Sequence, residues 1–124
     1  MDTHAFIWWV NEPAKLSQAA SALIADGDNQ TLLSAVTAWE LAVKHRKGRL
    51  DLPDSPENIF RTAFTEDGFA PMPIDISHAL QVGNLPPIHS DPFDRLLIAQ
   101  AQTERIPILT SDPNIARYDV ETIW

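Results

Sequence analysis

The stretch Asp91-Pro92-Phe93-Asp94-Arg95-Leu96-Leu97-Ile98-Ala99-Gln100-Ala101 carries most of the information about the fold of this chain. Proline suits the first turn of a helix, so Asp91-Pro92 predicts the start of a helix that runs to about Glu104. One face of this helix joins an acid to an apolar stripe: Asp94, Leu97, Ile98 and Ala101. A carboxylate that continues a buried stripe needs a partner, so Asp94 is the first candidate functional residue.

Short apolar runs alternate with helical segments on both sides of this stretch. The sequence predicts strands or extended segments at 31–33, 71–74, 106–109 and 120–123. Four further helices are predicted from their N-terminal caps, which are Ser17, Ser34, Ser55 and either Asp75 or Ser77. The first three of these helices are each followed by a glycine that ends them: Gly27, Gly48 and Gly68. Residues 5–10 are strongly apolar and fit a strand or a helix. Short strands of non-alternating polarity between helices predict an α/β fold with a mainly parallel sheet covered on both faces.

The composition restricts the classes of function. The chain has 124 residues, 44% of them apolar, which suits one globular domain spanning 1–124. It has no cysteine, which excludes disulfides and thiolate zinc sites. Its net charge of −8, from 9 basic and 17 acidic residues, argues against binding RNA by broad phosphate neutralisation. No apolar run reaches membrane-spanning length and no signal peptide precedes Asp2, so a cytoplasmic protein is the expectation.

Four acids lie where the chain passes from apolar to polar sequence: Asp2, Glu40, Asp94 and Asp112. Each is flanked by apolar residues that must be buried. If the fold brings the four together, their mutual repulsion needs a counter-charge, and a hard divalent cation is the usual one. The pattern therefore points to a metal-dependent nuclease.

Each acid also has a purely structural interpretation. Asp91 and Asp94 fit a capping box at the start of their helix. Glu40 fits an exposed pair with Lys44 at the i+4 position, although Lys44 would also suit a phosphate. Asp112 fits an Asp-Pro turn, and Asp2 an inconsequential terminal acid.

Other chemistries lack their motifs. The chain has no glycine-rich phosphate-binding loop, no Gly-x-Ser-x-Gly and no His-x-x-x-His pair, so hydride transfer, nucleotide hydrolysis, serine hydrolysis and histidine zinc sites lose support. His89 is the one histidine near the candidate acids. Trp8, Trp9 and Trp39 are expected in the core or at an interface.

Taken in order, several segments resemble the PIN-domain family, and within it the VapC-type ribonuclease toxins. The matching segments are Asp2-Thr3-His4-Ala5-Phe6-Ile7-Trp8-Trp9, Ser34-Ala35-Val36-Thr37-Ala38-Trp39-Glu40-Leu41-Ala42-Val43-Lys44, Gly48-Arg49-Leu50, the stretch from Asp91 to Ala101, and Leu109-Thr110-Ser111-Asp112. No single motif decides the matter, but the ordered set runs nearly end to end. The resemblance favours a functional Glu40 over the exposed pair.

The resemblance implies a three-layer α/β/α sandwich with a central, mainly parallel sheet. It implies that Asp2, Glu40, Asp94 and Asp112 form a pocket for Mg²⁺ or Mn²⁺, with Thr110 as a polar helper and Asp91 as an accompanying acid. The implied reaction is endonucleolytic cleavage of RNA by metal-activated water. The implied partners are an antitoxin protein, which often places a basic side chain in the acid pocket, and a second copy in a homodimer.

One departure from the family pattern concerns the first strand. The family usually has several apolar residues before its first acid, whereas only Met1 precedes Asp2 here. The first strand is therefore expected to be truncated, with Asp2 on a frayed terminus, and the true start is expected upstream of Met1. The alternative to an enzyme is a non-catalytic PIN-fold module, degraded at its N-terminus, that only binds a partner protein.

Overall fold

The computed structural model describes all of residues 1–124. It consists mainly of helices, several of which begin on serine caps. The helices are α1 (Thr3–Asn11), α2 (Gln18–Ala25), α3 (Ala35–Arg46), α4 (Pro56–Thr65), α5 (Ile76–Gln81) and α6 (Pro92–Glu104). The strands are β1 (Leu32–Ser34), β2 (Ala70–Met72), β3 (Ile108–Leu109) and β4 (Thr122–Ile123). Short 3-10 turns lie at Pro13–Lys15, Val82–Asn84 and Ile115–Arg117. None of the helices has the length and apolar character needed to cross a membrane.

The predicted helix starts are confirmed by side-chain caps. Ser17 Oγ accepts from the Ala20 amide at 2.9 Å, and Ser34 and Ser55 cap α3 and α4 in the same way. Each cap satisfies an amide that the first turn of a helix leaves unpaired. The apolar run that fitted a strand or a helix is helical, as part of α1, because Asp2 caps that helix.

The strands form two parallel pairs, as the α/β interpretation predicted. In one, β1 pairs with β2 through Leu32 and Ala70, and in the other, β3 pairs with β4 through Ile108 and Thr122. The pairs are two separate two-stranded sheets. The backbone of residues 1–2 touches both, because the Met1 amine donates to Leu32 O at 3.4 Å and the Asp2 amide to Leu109 O at 3.0 Å. Asp2 is therefore held by backbone on both sides, and the expected frayed terminus is wrong.

Two apolar clusters fill the interior. The first surrounds Phe6 and Leu41, with Trp8 and Trp9 packed against it as expected of core residues. The second is built on the apolar stripe of α6, where Leu97 and Ile98 are buried as predicted. Because α3 belongs to the first cluster and α6 to the second, the side chains at their N-terminal halves meet where the clusters adjoin.

One aromatic residue departs from the core expectation. Trp39 is 47% exposed, so it is not a core residue. Its ring contacts Phe93 of α6, with ring centroids 4.5 Å apart and the planes 65° to each other. The contact joins α3 to α6 at the surface.

Candidate active site

Asp2 is the most enclosed of the candidate acids. Its side chain is nearly inaccessible, at 3% exposure. Oδ1 accepts from the Ala5 amide at 2.7 Å, and Oδ2 accepts from the Thr110 hydroxyl at 2.5 Å. Burial raises the pKa of Asp2, and these two hydrogen bonds act in the opposite direction. Asp2 is thus fixed in place by both oxygens, with a tendency to hold a proton unless a cation is near.

Thr110 connects Asp2 to Asp112. While its hydroxyl donates to Asp2, the same oxygen accepts from the Asp112 amide at 2.9 Å. Thr110 follows β3 directly and is buried, so it lies at the carboxyl end of a parallel strand, where ligands bind in open α/β sheets. The proposed polar helper therefore ties two of the four predicted acids together.

Several of the other candidate acids lie close to Asp94 and affect its pKa. Burial is the largest cause that raises its pKa, to about 6, and the hydrogen bond from His89 opposes that shift. Three further acids raise the pKa as well: Asp91, Asp112 and Glu40. Like charges shift a pKa measurably only over short distances, so the structure gathers these acids around Asp94. Together with the link from Asp2 through Thr110 to Asp112, all four predicted acids lie in one region.

Glu40 is buried and paired at the same time. It is only 2% exposed, and its Oε1 lies 2.5 Å from Lys44 Nζ. The ion pair proposed from the i+4 spacing is therefore present, but Glu40 is buried, so the alternative interpretation of an exposed pair is wrong. Lys44 remains about one third exposed, so its ammonium group sits between a buried acid and solvent.

The other structural interpretations hold locally. Asp91 Oδ1 accepts from the amides of Phe93 and Asp94, which is a helix cap, and Asp94 does not reach back to complete a capping box. Asp112 Oδ1 accepts from the Asn114 amide at 2.8 Å, as expected of an Asp-Pro turn. These bonds use one oxygen of each carboxylate and fix the orientation of the other.

A hydrogen-bonded network behind Asp94 was not found from the sequence. His89 Nε2 lies 3.0 Å from Asp94 Oδ2, and its Nδ1 lies 2.7 Å from the Tyr118 hydroxyl. Arg95 Nη1 donates to the same hydroxyl at 3.0 Å. Since the arginine only donates, the Tyr118 hydroxyl is free to donate to Nδ1, which leaves Nε2–H to donate to Asp94. Proximity along the chain pointed to His89, but Tyr118 is 29 positions further along the chain, so the sequence did not predict the rest of the network.

A second group of potential metal ligands lies at the other end of α6. Ligand atoms of Asp75, His78 and Glu104 lie within 4.8 Å of one another, and none of the predicted acids is among them. Both nitrogens of the buried His78 ring are occupied, since Nδ1 accepts from the Asp75 amide at 3.0 Å and Nε2 lies 2.7 Å from Glu104 Oε1. This group therefore serves as a capping box and a link between α5 and α6.

The donor set around Asp94 fits a hard divalent cation. Its donors are carboxylate oxygens, which Mg²⁺ and Mn²⁺ prefer. Three carboxylate oxygens form no hydrogen bond within the protein: Glu40 Oε2, Asp94 Oδ1 and Asp112 Oδ2. The buried Thr37 hydroxyl, one helical turn before Glu40, is also without a partner. Grouped acids with free oxygens can bind a cation, and a bound cation can activate water.

The chain is similar in sequence to known proteins. Part of the chain is similar to ribonuclease VapC16 of Mycobacterium tuberculosis, with 33% identity over 57 residues. That match covers 46% of this chain and 40% of the relative, so the chain matches less than half of the relative's length. The sequence model of the PIN domain matches residues 1–121, which is nearly the whole chain. The ordered acids, the α/β fold and this match together show that the chain belongs to the PIN domain family.

Proposed function

We propose that this protein is a metal-dependent endoribonuclease and the toxin of a toxin–antitoxin pair. The observation that supports this most strongly is the concentration of negative charge at Asp94, whose pKa is raised to about 6 by burial and by three neighbouring acids. Such an arrangement costs stability unless a cation offsets it. Similarity to a ribonuclease of the VapC type supports RNA as the substrate.

The proposed metal ligands are Asp2, Glu40, Asp94 and Asp112, with Mg²⁺ or Mn²⁺ as the ion. Bound there, a divalent cation lowers the pKa of a water molecule and offsets charge on the phosphoryl oxygens. One carboxylate of the group is the proposed general base that orients the water. Lys44 is the proposed contact to a phosphate oxygen, and its partly exposed ammonium group beside Glu40 supports this role.

Cleavage of a defined RNA tests this proposal. The purified chain is incubated with a labelled single-stranded RNA in Mg²⁺, in Mn²⁺ and in EDTA. Cleavage should require the metal and should be lost in Asp94→Asn, whereas the exposed acid Asp54, at the start of the segment before α4, supplies the matched control Asp54→Asn. Metal-independent cleavage, or equal cleavage by Asp94→Asn, contradicts the proposed mechanism.

Thermal unfolding separates the enzyme from the alternative, a non-catalytic binding module. A ligand that binds only the folded state adds about 2.7 kcal/mol at a concentration 100-fold above its Kd. Saturating Mg²⁺ or Mn²⁺ should therefore raise the Tm of the wild type, with a much smaller rise in Asp94→Asn. A Tm that does not respond to metal, together with absent cleavage, favours the binding module.

The proposed protein partners are an antitoxin and a second copy of the chain. A cleft of about 520 Å³ lies between the end of α1 and α4, lined in part by Trp9, Val10, Pro13 and Ile59. The apolar residues of this cleft, the acids Asp54 and Asp67 that also line it, the net charge of −8 and the acid pocket complement an antitoxin segment that is apolar with basic side chains. Light scattering at micromolar concentration tests the homodimer, and rescue of growth by the co-expressed neighbouring gene product tests the antitoxin.

The single central sheet of a three-layer sandwich belongs to the same proposal. Its support is the backbone of residues 1–2, which donates to Leu32 O on one side and to Leu109 O on the other. That placement suits a sheet ordered β2, β1, residues 1–2, β3, β4. In such a sheet Asp2, Ser34 and Thr110 lie at the carboxyl ends of three neighbouring strand positions.

A further inference from the structure

Trp39 presents an aromatic surface beside the acid pocket. About half of its side chain is open to solvent, although tryptophan usually buries most of its area. The contact with Phe93, with centroids 4.5 Å apart, holds the indole against α6 without covering it. The structure therefore offers a fixed, partly open aromatic ring.

The position of this pair follows from the two helices. Trp39 directly precedes Glu40 on α3, and Phe93 directly precedes Asp94 on α6. Successive helical residues point about 100° apart, so each aromatic residue lies beside the following acid; Trp39 is exposed and Phe93 is half-buried. The Trp39–Phe93 pair thus lies at the rim of the acid pocket.

Positive charge is concentrated at the end of the same helix and in the residues just after it. The chain has nine Lys and Arg residues, and four of them lie within residues 44–49: Lys44, Arg46, Lys47 and Arg49. The last three are exposed and form no ion pair. In a protein with a net charge of −8, this end of α3 is the natural place for an anion to approach.

The aromatic ring and the cations lie along one line. Arg46 follows Trp39 by seven residues, which places it on the same helical face and about 10 Å further along the axis. Between them lies the exposed Ala42, whose small side chain leaves the surface open. Single-stranded RNA is bound by this combination, because bases stack on aromatic rings while phosphates meet cations.

We propose that the outer face of α3, formed by Trp39, Ala42 and Arg46 together with Phe93, binds single-stranded RNA, with one nucleobase stacked on Trp39. This inference rests on the proposed nuclease function and specifies how its substrate is held. A base on Trp39 sets the adjoining phosphate at the acid pocket, and Arg46 holds a phosphate further along the strand. Stacking tolerates any base, so the surface positions RNA without selecting a sequence.

RNA fits this surface better than a second protein does. The other large exposed apolar residues, Ile74, Ile76 and Leu80, lie in and just before α5 with no aromatic ring among them. An apolar group of that kind suits a protein partner. At Trp39, by contrast, the exposed apolar surface is a single ring pair next to cations.

The test measures RNA binding without cleavage. Asp94→Asn serves as the background, and the probe is a fluorescently labelled 12-nucleotide single-stranded RNA followed by anisotropy at several salt concentrations. The variants added to it are Trp39→Ala, Trp39→Phe and Arg46→Gln. Ile76→Ala supplies the control for an exposed apolar residue, at 80% exposure, and Arg61→Gln the control for an exposed cation on α4.

We expect Trp39→Ala to raise the Kd about tenfold, and Trp39→Phe to restore most of the loss, because base–aromatic stacking contributes that much per base. Arg46→Gln should lower the slope of log Kd against log salt by about one. Neither control should change the Kd. With an RNA that lacks its bases, the parent and Trp39→Ala should bind equally, since only the stacked base distinguishes them.

Equal RNA affinity of Trp39→Ala and its parent overturns the inference. If Trp39→Ala instead dissociates a dimer seen by light scattering while RNA binding persists, the ring belongs to an interface between copies. Failure of the nuclease proposal is distinguishable, because then the wild type would not cleave RNA in metal and the parent would not bind the probe. Circular dichroism of every variant guards against misfolding, and Trp39→Phe keeps an aromatic ring where Trp39→Ala leaves a gap.

Discussion

Helix α6 begins and ends on a histidine–carboxylate pair, and the two pairs have different surroundings. At its start His89 Nε2 lies 3.0 Å from Asp94 Oδ2, and at its end His78 Nε2 lies 2.7 Å from Glu104 Oε1. The helix dipole favours an acid at the start and disfavours one at the end. The dipole alone would therefore make Asp94 the easier of the two acids to ionise.

At Asp94 burial, reinforced by the neighbouring charges, outweighs the effect of the dipole. Burial and three further acids raise its pKa to about 6 despite the dipole and the hydrogen bond from His89. Glu104 is partly exposed, so water solvates it on the open side. The comparison shows that a histidine–acid pair alone does not indicate a functional site. An accumulation of like charges with too few neighbouring cations to offset it does indicate one.

The largest expected effect is on RNA cleavage by variants at the two ends of α6. Asp94→Asn should lower the metal-dependent cleavage rate by about 100-fold or more, because it removes a proposed ligand of the metal at the reacting phosphate. Glu104→Gln keeps the shape of its side chain and should cleave at the wild-type rate. Initial rates on one labelled RNA in saturating Mg²⁺ measure both. A loss of cleavage in Glu104→Gln would contradict the proposal, because it would mean that the chemistry takes place at the C-terminal end of α6.

Local capping chemistry explains why so much of the fold was predictable. Ser17, Ser34 and Ser55 accept bonds from amides two or three residues away, so a short window of sequence contains the whole interaction. α1 could not be assigned, because its apolar run lacks a clear period. Its cap, Asp2, is a proposed site residue whose other oxygen is bound by Thr110, 108 residues away.

The site was less predictable because its geometry depends on distant contacts. The acid at the end of the α6 stripe was recognisable from helical spacing alone. The i+4 pairing of Glu40 with Lys44 was also recognisable, but its burial was not, since that depends on how α3 packs. The hydrogen bonds that join Tyr118 to His89 and to Arg95 connect residues 29 and 23 positions apart, and no local sequence pattern predicts them. For Trp39 the sequence left a core position and an interface position open, and its exposure excludes the core position.

The next effect distinguishes the two histidines. His78 is buried and both of its ring nitrogens are paired, so His78→Ala should cost about 3 kcal/mol of unfolding free energy through a cavity and unpaired groups. Cleavage by its folded fraction should not change. His89→Ala should instead weaken metal binding about tenfold or more, because it frees Asp94 to rotate.

Two measurements on both variants make this comparison. Urea unfolding gives the free energy, and the Mn²⁺ dependence of the cleavage rate gives the apparent metal affinity. His89→Gln retains a hydrogen-bond donor and should recover part of the affinity. Equal metal affinity in His89→Ala and the wild type would mean that the network through Tyr118 only stabilises the fold.

The smallest expected effect is the response of stability to pH in metal-free protein. The folded pKa of Asp94, about 6, lies above its ordinary value of 3.8, so the folded state holds that proton more tightly. Its contribution is fully present below the ordinary value and is lost as the pH rises through about 6. After discounting for partial exposure, the loss amounts to about 1–2 kcal/mol. Urea unfolding in EDTA between about pH 4.5 and pH 7.5 should therefore show a smaller decline in Asp94→Asn than in the wild type. Glu104→Gln should decline as the wild type does, and an undiminished decline in Asp94→Asn would mean that the charge around Asp94 is already offset by Lys44 and His89.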